Sequence, residues 1–361
     1  MTKIISLFNH KGGVSKTTTT FHLGWKMAAL GKRVLIVDAD PQCNLTGLAL
    51  GKQDYDSLAA FYDSKQNTDI FTSLAPTFAL KAAPQTMEVS FAKTNTENLF
   101  ILAGHIRFSE IDIQLATALT SSETIPVLRQ FIGSINKLLR DTADQNGFDL
   151  VLIDTSPSVS ATNQCILMSS DYFIIPTSPD FYCYQAIDSL SRVLPKWSKE
   201  IKKFRVGDYA LPKNNPKMLG FISQNYRVYT KKAQISGQKS ISKAYQVWLD
   251  KIKNVTNEKL VPALNQDDMV VEEKLFQAHV HYDSPYHLAG IQNFNKLIPA
   301  SQFLAKPIYE LTQEDGKKVL DIPWAGAAWQ NTKNSIKQAD EIYSQMATSI
   351  LAMLNNDPGN R

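Results

Sequence analysis

Eight consecutive residues, Lys11-Gly12-Gly13-Val14-Ser15-Lys16-Thr17-Thr18, combine two lysines, two glycines and three hydroxyls. That is the chemistry of an anion cradle. Gly12 and Gly13 let the backbone curl until successive N–H groups converge on one phosphate. Lys16 is placed to reach the outer phosphates of a nucleotide, and the Thr17 hydroxyl to ligate Mg²⁺. Val14, Ser15 and Thr18 complete the loop that would line the ligand. Carboxylates form two further groups. Asp38 and Asp40 stand together in Asp38-Ala39-Asp40-Pro41-Gln42, and Asp154 ends the run Phe148-Asp149-Leu150-Val151-Leu152-Ile153-Asp154.

A phosphate loop needs a strand before it and a helix after it. The apolar run Ile4-Ile5-Ser6-Leu7-Phe8 reads as a buried parallel strand, and Thr19 to Leu30 reads as a helix stopped by Gly31. The helix adds the positive end of its dipole to the cradle. Arg33 to Asp38 is a second buried strand, so its acidic exit falls where an α/β sheet binds ligands. Four apolar residues running into Asp154 have the shape of a Walker B strand, which places Asp154 to hold Mg²⁺. Without a ligand the same residues are a Gly-Lys turn and carboxylates capping loops.

The loop departs from the general G-x-x-x-x-G-K-[ST] pattern, with His10 and Ser15 where glycines would stand. Lys11-Gly-Gly-x-Ser-Lys-Thr resembles instead the deviant loop, K-G-G-x-[GS]-K-T, of the ParA/MinD family of P-loop ATPases. The extra lysine, Lys11, is the family's mark. The resemblance extends to D-x-D-P-Q at 38–42 and to the Walker B strand, where Ser156 replaces the first proline of the family's D-x-P-P. It covers about residues 1–50, 99–110 and 148–230, and the rest poorly. It implies an α/β P-loop NTPase fold: a mostly parallel twisted sheet with helices on both faces. The chain is expected to be a single domain over 1–361 with insertions near 51–98 and 255–310, and no separate amino-terminal DNA-binding module.

The remaining elements follow from patterning. A strand with a turn is expected at Leu99–Gly104, strands at Asp171–Pro176 and Lys217–Asn225, and helices near 111–119, 125–139, 184–194 and 324–354. Pro195 is expected to begin a new helix. The segment 51–98 reads as surface helices and loops. His279-Val280-His281 through His287 tempts a metal reading, but alternating histidines in a polar loop are the commoner case. Asn225 falls where family members place a polar contact to adenine, and a turn-forming Asn would look the same. Lys296 to Ile308 loosely resembles a family segment near the nucleotide base.

The chain has 361 residues, 43% hydrophobic and 20% charged, as an ordinary globular protein does. No apolar run approaches a membrane span, and Met-Thr-Lys does not begin a secretory signal. Three scattered cysteines suit reduced thiols in a cytoplasm rather than a disulfide framework. The net charge of +4 is unevenly spread. Residues 196–259 hold fifteen Lys or Arg against four acids, a net of +11, which leaves −7 for the remainder. A basic face of this kind suits a phosphate backbone, although a solvated lysine-rich face is the plain alternative.

The resemblance implies the rest of the expected function. Two subunits sandwich two ATP molecules with Mg²⁺, and Lys11 of each reaches the phosphates of the other. Asp40 positions the attacking water, supported by Asp38, and lies close enough to the γ-phosphate to join the metal site. The ATP-bound homodimer binds DNA without sequence preference, and a ParB-like partner stimulates hydrolysis and release. Arg227, Lys231 and Lys232, just after the sixth strand, are the candidate DNA contacts. The expected setting is cytoplasmic and nucleoid-associated. The alternatives are a MinD-like positioning ATPase for another cargo and an ATP-dependent ligase or synthetase of the same superfamily. The terminal Leu354–Arg361 has no basic amphipathic helix for a membrane.

Overall fold

The computed structural model describes residues 2–358 apart from 53, 65–68, 81–88, 208–209, 227, 231–238, 242, 282, 295–296 and 321–324. Ten strands are present among them: β1 (Lys3–Leu7), β2 (Val34–Ala39), β3 (Ala92–Lys93), β4 (Leu99–Leu102), β5 (Leu150–Thr155), β6 (Tyr172–Thr177), β7 (Lys217–Tyr226), β8 (Val228–Thr230), β9 (Lys239–Ile241) and β10 (His287–Gln292). Eight form one sheet in the order β10-β7-β6-β1-β5-β2-β4-β3, and β8 pairs only with β9. Every pairing in the large sheet is parallel except β3 with β4. The expected mostly parallel α/β sheet is what the chain forms.

The reason is legible in the strands. β2, β4, β5 and β6 are buried at every position, so both faces of the sheet are covered and near-continuous apolar runs replace alternation. The register then fixes the chemistry. Leu7 pairs with Asp154 and Asp38 also pairs with Asp154, so the exits of β1, β2 and β5 lie level at one edge of the sheet. The loop after β1 therefore opens between the two acidic strand ends.

The helix Lys16–Ala29 carries the loop's second half into the core. Its Gly24 faces the sheet so closely that an added Cβ would lie 2.8 Å from Ile36 Cγ2. On its other side it packs against the helix Gly326–Asn356, whose Ala339, Tyr343, Met346, Ile350 and Met353 are buried as the stripe predicts.

Three expectations are corrected. The helix after β6 runs from Phe181 to Ile201 and passes through Pro195 rather than restarting there. Leu190, Leu194, Trp197 and Ile201 are all buried, and that continuous apolar face offsets the backbone bond a mid-helix proline removes. The histidine-rich stretch is not a polar loop throughout: His287 opens β10 and is buried against β7. Among the described residues no group of His, Cys, Asp and Glu is arranged to hold a metal ion. The hairpin β8–β9 and the strand β10 were not anticipated, because short strands leave little periodic signal. Helices at Tyr55–Asp63 and Ile70–Phe78 occupy part of the 51–98 segment. Among the described residues no helix is long and apolar enough to cross a membrane.

Candidate nucleotide-binding site

The loop between β1 and the helix Lys16–Ala29 has the backbone shape an anion needs. Gly13 sits at φ +72° with nothing within 4 Å of where a Cβ would stand. Ser15 also adopts the left-handed region, at φ 57°, and makes no side-chain cap. The first amides of that helix thus keep no side-chain acceptor, and they point from the positive end of the dipole.

Lys16 is buried, and its ammonium donates to two carbonyls of its own loop, Asn9 O at 2.9 Å and Lys11 O at 3.3 Å. Burial lowers its pKa, while Asp154 and Asp40 act in the opposite sense. Asn9 is itself fixed: its Nδ2 donates to Pro176 O at 2.8 Å, and its Oδ1 accepts the Lys11 amide at 3.0 Å. The lysine is thereby held folded against the loop, within the wall of a cleft of about 630 Å³. Loop residues 12–18, Asp40, Asn44, Lys52, Pro157 and Gln302 line this cleft.

Thr17 Oγ1 donates to Asp154 Oδ2 at 2.6 Å. The other oxygen, Asp154 Oδ1, is buried with no hydrogen-bond partner among the described residues. Burial, with Asp38 alongside, pushes the Asp154 carboxyl up to about 8. A buried carboxylate with one free oxygen beside a threonine hydroxyl is a donor set that fits a hard divalent cation. Thr17 and Asp154 would hold it, and Mg²⁺ would supply charge neutralisation at the phosphates. Asp38 is wholly buried and accepts from Thr46 N at 2.8 Å, Thr46 Oγ1 at 2.7 Å and Asp40 N at 3.2 Å. Burial still raises its pKa to about 6. Asp38 therefore shapes the turn, and Asp40 is the carboxylate that faces the cleft.

Lys11 lies at the rim. Its Nζ is 3.2 Å from Asp180 Oδ2, and Asp180 also caps the helix Phe181–Ile201 by accepting from Cys183 N. Asp180 was missed in the sequence, although an acid just past a strand end was the signal that marked Asp38 and Asp154. Asn225, at φ 60°, donates to Ser15 Oγ at 3.1 Å, and Gln224 donates to Thr19 Oγ1 at 2.7 Å. The end of β7 is thus hooked to the loop, and in this structure the Asn225 amide is engaged by Ser15. Gln302, from the helix Leu297–Leu304, brings part of that late segment to the cleft. Arg227, Lys231 and Lys232 lie outside the described residues.

A family profile described as an AAA domain matches residues 2–205, more than half of the chain. The sporulation initiation inhibitor protein Soj of Bacillus subtilis is 31% identical over 195 residues, which cover 54% of this chain and 64% of Soj. The chromosome partitioning protein ParA of Caulobacter vibrioides is 28% identical over 54% of this chain and 62% of its own. The chain therefore spans less than two thirds of the length of these relatives. Among solved structures, pNOB8 ParA bound to nonspecific DNA superposes with a TM-score of 0.58 over 99% of this chain and all of its own, at 20% identity. At that identity the likeness is one of fold.

Proposed function

Because the chain belongs to the ParA/MinD family of P-loop ATPases, we propose that it hydrolyses ATP to ADP and phosphate and uses that cycle to position or partition DNA. The observation that carries the reading is the meeting of three groups at one helix start. Lys16 is buried in the loop wall, Thr17 is joined to Asp154, and Asp154 keeps a free buried oxygen. No Gly-Lys turn without a ligand needs that arrangement, because an orphaned buried carboxylate oxygen is costly.

In this reading the loop amides and Lys16 bind the β- and γ-phosphates. Thr17 and Asp154 would hold Mg²⁺, which would supply charge neutralisation at the transferred phosphoryl group. Asp40 orients the attacking water, and Asp38 holds the Asp40 turn through the amide it accepts. Lys11 leaves Asp180 to reach the phosphates of a second copy, so that the homodimer encloses two ATP molecules. DNA binds the dimer through its basic face, including Arg227, Lys231 and Lys232. A ParB-like partner stimulates hydrolysis, and phosphate release undoes the dimer. The chain acts as one domain, free of membranes, on the nucleoid of the cytoplasm.

The test is binding to random-sequence duplex DNA without nucleotide, with ADP, and with ATP plus Mg²⁺, in the wild type and Lys16→Ala. ATP-dependent binding that disappears in the variant is the expected result. Binding indifferent to nucleotide, with hydrolysis intact, would leave an ATPase and remove the DNA-positioning role.

A further inference from the structure

The loop that leaves β5 passes Asp154, turns through Ser156-Pro157-Ser158 and enters the helix Ala161–Ser169. It forms a wall of the phosphate cleft, because Pro157 lines it. The same proline lies over the phosphate loop: a Cβ built on Gly12 would sit 3.7 Å from Pro157 Cβ. The ring of Pro157 fixes only its own φ, and the serines on either side leave the ends of the turn free, so something must hold Pro157 at that distance.

Asn163 holds it. The residue is wholly buried, and its Nδ2 lies 2.9 Å from Ser156 O, 3.1 Å from Ser156 Oγ, 2.8 Å from Ser158 O and 3.0 Å from Ser158 Oγ. One amide nitrogen thus gathers both ends of the turn about Pro157. The two hydroxyls are 3.0 Å apart and complete the ring. Asn163 Oδ1 has no partner among the described residues, so the side chain is committed to donation.

The platform beneath is braced on both sides. Thr162, one residue before, donates its amide and its hydroxyl to Asp112 Oδ1, each at 2.8 Å, on the helix Glu110–Ser121. Gln164, one residue after, donates to Glu200 Oε2 at 3.0 Å, on the helix Phe181–Ile201. Ser160 caps the helix through the Asn163 amide. Three consecutive residues therefore bind three different neighbours, and the middle one faces the cleft wall.

We infer that Asn163 is the positioning residue that fixes the Ser156–Ser158 turn, and with it Pro157, against the phosphate loop during ATP turnover. The kinetic part of this inference rests on the ATPase reading; the positional part does not. Asn163 touches neither substrate nor metal ligand, so it acts through the turn.

Two measurements test it. The first is amide hydrogen exchange in the nucleotide-free chain. Asn163→Ala, and Asn163→Asp, which keeps the shape but cannot donate, should each speed exchange of the Ser158 amide by about tenfold or more, since that amide bonds Ser156 O within the turn. The second is steady-state hydrolysis. Both variants should lose about tenfold or more in kcat with KM for ATP changed by less than about threefold, the signature of lost orientation rather than lost affinity. Adding Ser156→Pro to Asn163→Ala stiffens the turn through its ring and should return both exchange and kcat toward wild type. Unchanged Ser158 exchange in both single variants would overturn the inference, as would a loss carried wholly by KM. Faster exchange in a chain whose wild type hydrolyses no ATP would keep the positional role and remove the ATPase reading instead.

Discussion

Lys11 and Asp180 form an ion pair in which both side chains are partly exposed. Such a pair is worth at most about 1 kcal/mol, because water screens it and two side chains are immobilised. A phosphate, with more charge and better geometry, outcompetes it. The pair is therefore a weak latch on the rim lysine. Asp180→Asn separates the roles of this residue, since asparagine caps a helix as well as aspartate does but makes no ion pair. Because each dimer releases two such pairs, the variant should form the ATP-dependent dimer with an affinity tighter by up to about thirtyfold, measured by analytical ultracentrifugation. Lys11→Ala should form no such dimer while still binding ATP. A dimer constant unmoved by Asp180→Asn would show that the latch has no energetic weight. The residue scale is also where the sequence was least complete. Lys16, Thr17 and Asp154 could be named from spacing, because loop and strand chemistry are local. Asp180 and Asn163 could not, since their partners lie 169 residues and 5–7 residues away, respectively, across turns whose shape no period encodes.

The first helix is the element on which the molecule closes. Its His22 is buried: Nδ1 lies 2.8 Å from Thr18 O, and Nε2 accepts the Ile308 amide at 3.0 Å. That pattern fits one neutral tautomer, with the proton on Nδ1. Tyr343 stacks on the ring from the helix Gly326–Asn356, and Tyr309 meets it edge-on. Protonation would aim a second N–H at the Ile308 amide, and burial accordingly lowers the pKa to about 4. The unfolded chain takes up this proton near pH 6.5, before the folded chain does. Stability from His22 is therefore fully present above about pH 6.5 and is lost as pH falls toward 4, by about 3 kcal/mol in all. Between pH 7.5 and 4.5 the urea midpoint of the wild type should drop relative to that of His22→Gln, since the buried carboxyls Asp38 and Asp154 titrate alike in both; parallel pH profiles would sink this assignment. Elements were legible where burial is two-sided. β1, β2, β5 and β6 announce themselves as apolar runs with acidic or polar exits. The helix across Pro195 and the strand at His287 did not, because in each case packing against distant residues overrides a local breaker or a polar composition.

Across the whole molecule, folding redistributes the charge that the sequence piles into residues 196–259. Lys203 pairs with Glu123, Lys217 with Asp268 and Asp357, Lys253 with Asp283, and Lys259 with Asp188. These acids lie outside the basic window, so the −7 remainder is partly spent neutralising the +11. Among the described residues, Lys199, Lys202, Lys213 and Lys243 are exposed and make no ion pair. A DNA backbone selects cations that release counterions, and a lysine already paired with a carboxylate releases fewer. The paired class should therefore contribute little to the salt dependence of DNA binding. With ATP and Mg²⁺ present, the slope of log K for duplex DNA against log salt should shrink by about 3 when Arg227, Lys231 and Lys232 are all replaced by Ala, at about 0.9 per phosphate contact. Replacing the paired Lys253 and Lys259 should leave the slope within about 1 of wild type. Equal slopes in the triple variant and the wild type would remove Arg227, Lys231 and Lys232 from the DNA contacts. A loss shared by the paired lysines would mean that the chain binds through its overall charge, with no face set aside for the task.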